Sequence, residues 1–148
     1  MKNTIYFDMD GTIANLYGVN GWLDDLINEN PRPYKDAEPL LNFRVFAKEL
    51  HKVQQKGYKI GIISWLSKTG TDEYNKVVTE TKEKWLKKHL PSVKFDEIHI
   101  VKYGTPKSTC GNGYSILFDD EENNRKEYEK NGGKAYNVNN IIEVLRSL

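Results

Sequence analysis

The sequence is short of the residues that build thiolate or imidazole metal sites. Among its 148 residues there is one cysteine, Cys110, and there are three histidines, which are scattered along the chain. A lone cysteine excludes an internal disulfide, and a zinc site of cysteines and histidines needs more ligands than these residues supply. Any metal ion in this protein is therefore expected to be bound by oxygen atoms.

The sequence also lacks a long apolar run and a strong excess of charge. No segment reaches the ~20 apolar residues of a membrane span, and the first residues lack the basic start and apolar stretch of a signal peptide. We therefore expect a soluble, cytoplasmic protein. The formal net charge of +1 gives no overall basic field, so nucleic acid is not expected as a partner.

Length and pattern predict one α/β domain spanning residues 1–148. With 38% hydrophobic and 29% charged residues, the chain can form one core but is too short for two comfortable domains. Alternating strand and helix patterns indicate a Rossmann-like three-layer sandwich around a mainly parallel sheet of about five strands. The sequence predicts strands at 5–7, 58–63, 97–101, 115–118 and 135–138, and helices at 22–28, 41–56, 72–90, 121–130 and 140–148.

The helix predicted at 72–90 has one apolar and one charged side. Asp72 is its predicted N-cap, and its inner face is predicted to carry Tyr74, Val78, Thr81 and Trp85. The charged residues around that face are interpreted as a solvated surface: Lys82, Glu83, Lys84, Lys87 and Lys88.

Two acidic pairs follow predicted strands. Asp8 and Asp10 come after residues 5–7, and Asp119 and Asp120 come after residues 115–118. The carboxyl ends of strands in open α/β sheets hold ligand sites, so the pairs are expected to form one all-oxygen site suited to Mg²⁺. The alternative for the second pair is an acidic helix start that complements the helix dipole.

A serine and two lysines follow later predicted strands. Ser64 lies just past the strand predicted at 58–63, which places it beside Asp8 if the two strands are parallel neighbours. An ordinary turn or helix-start serine is the alternative. The loop at 102–108 supplies two lysines, Lys102 and Lys107, and an exposed loop lysine is the alternative for each.

These residues resemble the four motifs of the haloacid dehalogenase-like phosphohydrolases. Asp8-Met9-Asp10-Gly11-Thr12 after an apolar strand resembles motif one, and Ile62-Ile63-Ser64 is similar to motif two. A lysine upstream of the last acidic pair resembles motif three, and Phe118-Asp119-Asp120 resembles motif four.

The resemblance implies a Mg²⁺-dependent phosphatase that forms an aspartyl-phosphate. It implies that Asp8 is the nucleophile and that Asp10 is the general acid/base, whose backbone carbonyl also reaches the metal. It further implies that Ser64 and a lysine bind the phosphoryl group, and that Asp120, supported by Asp119, binds Mg²⁺. Lys107 is preferred to Lys102, because in the nucleotidase-like branch this lysine stands about a dozen residues or fewer before the acidic pair.

Residues 13–41 are rich in glycine, asparagine, aspartate and proline, which indicates an insertion after the first strand. The segment resembles a much reduced helical cap, and with the motif spacing it looks like the 5'(3')-deoxyribonucleotidase-like branch. That branch implies a small phosphorylated substrate such as a nucleotide. Tyr17, Trp22 and Tyr34 either stack on a flat group of the substrate or fix the insert to the body.

A non-catalytic receiver-like module is the main alternative function. Receiver domains also combine an acidic cluster, a serine or threonine, a lysine and Mg²⁺ on a parallel sheet, and they take up phosphate without turnover. The motif order argues against a receiver, because a receiver has no second acid two residues after its phosphorylated aspartate. A phosphate-binding protein without activity is disfavoured by the presence of both Asp8 and Asp10.

Overall fold

A five-stranded sheet forms the centre of the computed structural model, which describes residues 3–111 and 114–148. All neighbouring strand pairs in this sheet are parallel. The elements in chain order are β1 (Thr4–Phe7), β2 (Ala14–Asn15), α1 (Trp22–Ile27), α2 (Arg32–Asp36), β3 (Glu38–Pro39), α3 (Phe43–Gln55), β4 (Lys59–Trp65), α4 (Asp72–His89), β5 (Glu97–Val101), β6 (Ile116–Phe118), α5 (Glu122–Lys130), β7 (Lys134–Tyr136) and α6 (Ile141–Ser147). The predicted α/β class with five parallel strands is confirmed.

The strand order in the central sheet is β5-β4-β1-β6-β7. The chain builds one half of the sheet outward from β1 and then returns to build the other half from β6. A crevice forms where the order reverses, at the carboxyl ends of β1 and β6. Numbered along the chain, this order is 3-2-1-4-5, whereas receiver domains have 2-1-3-4-5. The topology therefore contradicts a receiver fold.

The main core lies between the sheet and helices α3, α4 and α6. Phe7 of β1 is fully buried, and its ring lies 5.1 Å from the ring of Phe46 and 5.1 Å from that of Phe118. Asn42 caps α3, because its side chain accepts hydrogen bonds from the backbone N–H groups of Arg44 and Val45. The helix predicted at 41–56 is thus present with slightly shorter bounds.

The end of β4 and the N-cap of α4 also differ from the prediction. Strand β4 continues through Ser64 and Trp65, because these residues pair with Ile100 and Val101 of β5. Ser64 therefore lies inside the strand and not past its end. Helix α4 is capped by the side chain of Thr71, whereas Asp72 was the predicted cap.

The composition of the inner face of α4 was also predicted wrongly. Lys82, which was interpreted as part of a solvated surface, is 1% exposed, and Thr81 is only half-buried. Lys82 follows Tyr74 and Val78 at intervals of four residues, so the helix period turns it inward with them. Its burial is possible because polar partners at the sheet edge bind its ammonium group.

Residues 13–41, the predicted insert, lie between β1 and α3 and are called the insert below. Its two ends are joined by the antiparallel pair β2 and β3, and α1 and α2 lie between them. The insert is held to α4 by hydrogen bonds from the backbone N–H and hydroxyl of Thr71 to the carboxylate of Glu29, at 2.9 and 3.0 Å. The Tyr74 hydroxyl also donates to the Asn30 carbonyl, at 3.1 Å.

The helices within the described ranges 3–111 and 114–148 are too short or too polar to cross a membrane.

Replacing Phe46 by alanine tests the packing of the core. The ring is 1% exposed, so its loss should lower the free energy of unfolding by about 3–5 kcal/mol through lost burial and a residual cavity. Urea unfolding followed by circular dichroism measures the change. Ile27→Ala is the control, because Ile27 is 68% exposed and its loss should cost about 0.5 kcal/mol or less. Equal effects of the two substitutions would contradict the packing described above.

Candidate active site

Four aspartates from two strands meet at the crevice. Asp8 and Asp10 follow β1, and Asp119 and Asp120 follow β6. The two strand ends are joined by a hydrogen bond from the Asp8 backbone N–H to the Phe118 carbonyl, at 2.9 Å. The β1–β6 pairing therefore brings together residues that lie more than a hundred positions apart in the sequence.

Gly11 allows the chain to turn directly after the first acidic pair. Its φ is +82°, a conformation that L side chains rarely adopt, and a Cβ atom here would collide with the carboxylate of Asp120. The Thr12 hydroxyl also links the two pairs. It lies 3.1 Å from Asp8 Oδ2 and 3.2 Å from Asp120 Oδ1, and it accepts a hydrogen bond from the Asp120 N–H.

Of the two lysines predicted from the loop at 102–108, Lys107 is the one that reaches the acidic cluster. It is 2% exposed, and its Nζ lies 2.9 Å from Asp8 Oδ1 and 2.7 Å from Asp119 Oδ2. Burial lowers the pKa of Lys107, but Asp8 and Asp119 act against this effect and leave the pKa above its ordinary value. Lys102, the other candidate, is exposed.

Asp119 and Asp120 differ in their surroundings. Asp119 is fully buried, and its carboxylate accepts hydrogen bonds from Lys107, from the Glu121 N–H and from Asn124. Burial and the charge of Asp8 raise the pKa of Asp119, although Lys107 opposes the increase. Asp120 borders the cavity described below, and burial together with Asp8 raises its pKa to about 7.

Asp10 is held by a second lysine, Lys82. The Lys82 Nζ donates to Asp10 Oδ2 at 3.0 Å, to Ser64 Oγ at 2.8 Å and to the Trp65 carbonyl at 2.8 Å. Burial raises the pKa of Asp10 above its ordinary value, Lys82 lowers it, and the charge of Asp8 raises it further. Sequence reasoning missed Lys82, although its place on the apolar stripe of α4 was a usable signal.

Ser64 lies beside Asp10 and Lys82 rather than at the surface of the crevice. Its side chain is fully buried, and the nearest serine that borders the cavity is Ser67. Direct binding of a phosphoryl group by Ser64 stays a prediction. The contact present in the structure joins its hydroxyl to the ammonium group of Lys82.

The cluster has the charge and the donor atoms that a divalent cation requires. Asp8, Asp119 and Asp120 each place one carboxylate oxygen so that the three atoms lie within 4.8 Å of one another. Oxygen donors of this kind suit Mg²⁺. Within the described chain, two ammonium groups hydrogen-bond to three of the four carboxylates, those of Asp8, Asp10 and Asp119, which leaves a deficit of positive charge when all four are ionised. The side chain of Asp10 lies outside this group of three. Binding of the metal by the backbone carbonyl of Asp10 stays a prediction.

A cavity of about 630 Å³ opens directly beside the carboxylates. Asp8, Asp10, Asp120 and Lys107 border it at one end. Most of the remaining wall is apolar or aromatic, and the aromatic residues are Tyr17, Trp22, Tyr34, Trp65 and Tyr103.

The three aromatic residues singled out in the insert all border this cavity, but they differ in exposure. Tyr34 is 5% exposed and packs against Leu16 and α4, so it fixes the insert to the body. Tyr17 is 49% exposed and makes an edge-on contact with Trp22, with ring centroids 4.9 Å apart. Tyr17 and Trp22 therefore remain available to a molecule in the cavity.

Comparison with known proteins supports the fold. No family model matches the sequence, and no curated protein matches it. Among solved structures, the chain is similar to the D,D-heptose 1,7-bisphosphate phosphatase of Burkholderia thailandensis, with a TM-score of 0.58 and 10% sequence identity. The match covers 99% of this chain and 97% of that protein. At this level of identity the likeness shows a shared fold.

Thermal unfolding with and without Mg²⁺ tests the metal site. At about 100 times its dissociation constant, Mg²⁺ should stabilise the wild type by about 2.7 kcal/mol. Asp120→Asn should lose most of this stabilisation, because it removes one of the three clustered carboxylates. Glu129→Gln, at an exposed acidic position of α5, should keep it. Equal stabilisation of Asp120→Asn and the wild type would contradict the site.

The same measurement without metal has an expected pH dependence. A carboxyl group whose pKa is raised in the folded state stabilises the protein at low pH, and this contribution is lost as the pH rises through the folded value. For Asp120 that value is about 7, so the wild type should lose stability between about pH 4 and pH 8 relative to Asp120→Asn. The stabilisation by Mg²⁺ should be larger at the high end of this range, because the metal binds the deprotonated ligands.

Proposed function

We propose that this protein is a Mg²⁺-dependent phosphatase that hydrolyses phosphate monoesters through an aspartyl-phosphate on Asp8. The observation that carries the proposal is the pairing of two differently held carboxylates at the cavity wall. Asp8 is bound by Lys107, and Asp10 is bound by Lys82. The fold shared with a protein described as a phosphatase supports the same reaction class.

In the first step, a carboxylate oxygen of Asp8 attacks phosphorus, and the bond between phosphorus and the leaving oxygen breaks. Asp10 delivers a proton to that oxygen, which avoids the release of an alkoxide. The raised pKa of Asp10 favours the protonated form that this step needs. Lys107, already bound to Asp8, faces the negative charge of the phosphoryl group.

In the second step, Asp10 takes a proton from a water molecule, and the oxygen of that water attacks phosphorus. The bond between phosphorus and the Asp8 oxygen breaks, which releases inorganic phosphate and restores both carboxyl groups. Asp8 and Asp120, with Asp119 behind them, are the residues that would hold Mg²⁺. When bound, the metal offsets the negative charge shared by the carboxylates and the phosphoryl group.

The cavity supports a substrate whose leaving group carries a flat ring that can stack on aromatic side chains. The aromatic residues that border it come from the insert, as Tyr17 and Trp22, and from the body, as Trp65 and Tyr103. Aromatic rings bind nucleobases by stacking, with little dependence on which base is present. We therefore propose a nucleoside monophosphate as substrate, which corresponds to a 5'(3')-nucleotidase activity.

Substitution of the two catalytic aspartates tests the mechanism. Asp8→Asn should abolish turnover of an aryl phosphate and the formation of a beryllium fluoride adduct. Asp10→Asn should still accept a phosphoryl group from a substrate with a good leaving group and should then retain it, because no base activates water. Mass spectrometry after a short pulse should find one phosphate on the peptide that contains Asp8.

Two outcomes would contradict this proposal. Hydrolysis by Asp8→Asn at the wild-type rate would remove the nucleophile assignment, and full activity in excess EDTA would remove the metal requirement. Uptake of phosphate by the wild type without turnover would instead indicate a non-catalytic phosphate acceptor.

Substitution of Trp22 tests the substrate class. Trp22→Ala should lower kcat/KM for nucleoside monophosphates by about 5- to 150-fold, because one stacking contact with a base is worth about 1–3 kcal/mol. Hydrolysis of acetyl phosphate, which carries no base to stack, should change little, and Trp22→Phe should retain most of the nucleotide activity. Equal losses on both substrates would argue against base stacking at this position.

A further inference from the structure

Lys82 is a buried cation that none of the four motifs explains. It lies on α4, is 1% exposed, and its three ammonium hydrogens have three acceptors: Asp10 Oδ2, Ser64 Oγ and the Trp65 carbonyl. Its Nζ also lies 5.1 Å from the centre of the Tyr34 ring. A side chain with every donor used in this way has a fixed direction.

The carboxylate of Asp10 depends on this lysine for its orientation. In the described part of the chain, the hydrogen bond from Lys82 is the one side-chain hydrogen bond of Asp10. Asp8 differs in this respect, because both its Lys107 and its Thr12 contacts hold its carboxylate. Asp10 borders the cavity and its side chain is 16% exposed, so the oxygen that Lys82 does not bind is the one left for a ligand.

Ser64 and Trp65 connect this arrangement to the sheet. Both residues belong to β4, which pairs directly with β1, and their oxygens bind the same ammonium group as Asp10. The position of the Lys82 Nζ is therefore set by strand β4 as well as by α4. A group fixed by two rigid elements can hold a carboxylate within the narrow range of geometries that proton transfer requires.

We propose that Lys82 is a positioning residue for the general acid/base. It binds Oδ2 of Asp10 and thereby directs the other carboxyl oxygen toward the leaving oxygen of the substrate and, in the second step, toward water. This inference rests on the proposed phosphatase activity. It assigns to Ser64 the role of fixing Lys82 through the hydrogen bond at its Oγ.

The dependence of the rate on the leaving group distinguishes positioning from a general structural role. Lys82→Met keeps the length and apolar character of the stem but removes the contact with Asp10. For dinitrophenyl phosphate, whose leaving group needs no proton, kcat/KM should stay within about threefold of the wild type, whereas for phenyl and alkyl phosphates it should fall by about 10²-fold or more. The phosphorylated form of Asp8 should also persist longer in this variant.

Three controls accompany the measurement. Lys84→Met changes an exposed lysine of the same helix and should leave all rates unchanged. Lys82→Gln retains a hydrogen-bond donor without the charge and should show a smaller loss with the same dependence on the leaving group. In an Asp10→Asn background, Lys82→Met should add little further loss, because residues that act as a unit are not additive.

The outcomes separate this inference from the proposed function. An equal loss on all leaving groups in folded Lys82→Met, or in Lys82→Gln if the methionine variant does not fold, would overturn the positioning role while leaving the phosphatase proposal intact. Additive losses with Asp10→Asn would also overturn it. Absence of phosphatase activity in the wild type would overturn both proposals.

Discussion

The arrangement of this site depends on compensating negative charge at the carboxyl ends of β1 and β6. Carboxylates removed from water at such close range repel one another, and several kcal/mol per buried ion are at stake when a partner is missing. Two ammonium groups bind different members of the cluster. Lys107 binds Asp8 and Asp119, and Lys82 binds Asp10. Each buried lysine depends on the acidic residues that it binds, and those acidic residues depend on the lysine for charge compensation.

The topology makes this compensation possible with few residues. The strand order reverses at β1, so the loops after β1 and β6 turn away from each other and leave a crevice between them. Each of these loops can place a side chain at the crevice. The stacked rings of Phe7 and Phe118 lie directly below the acidic residues that end β1 and β6. The packing of the core thus fixes the separation of the two acidic pairs, because Phe7 and Phe118 directly precede Asp8 and Asp119 in the chain.

Local sequence signals were sufficient for residues whose role follows from their position at a strand end. Asp8, Asp10, Asp119 and Asp120 are adjacent to strong β-favouring runs, and parallel pairing was enough to bring them together. The positions of the helices and strands outside residues 13–41 followed from hydrophobic periodicity in the same way, whereas β2, α2 and β3 within that segment were not predicted. The predicted sheet was recovered with end points shifted by one or two residues, since pairing with a neighbour decides where a strand stops.

Lys82 was missed because periodicity treats a charged residue as a surface residue. Its burial depends on hydrogen-bond acceptors that are distant in the sequence: Asp10, which follows β1, and Ser64 and Trp65 of β4. The residues next to Lys82 in the sequence do not indicate these partners. Lys107 was preferred to Lys102 only through the motif spacing that the family resemblance implies, and its burial also depends on a partner far away in the chain, Asp8. Lys82 lies on the apolar stripe of α4, between Val78 and Trp85. A lysine in such a position is therefore better interpreted as a buried cation with an acidic partner elsewhere in the chain.

The charged residues and the aromatic residues that border the cavity come from different parts of the chain. The charged residues come from the sheet, the adjoining turns and α4, whereas Tyr17 and Trp22 come from an insert that joins the body through β2, β3 and a few hydrogen bonds. Changes in the insert can alter the shape of the cavity without moving Asp8 or Lys107, because these two residues are bound to each other. The exception is Tyr34, which packs on α4 and lies over Lys82. Through that one ring, the packing of the insert is connected to the lysine that binds Asp10.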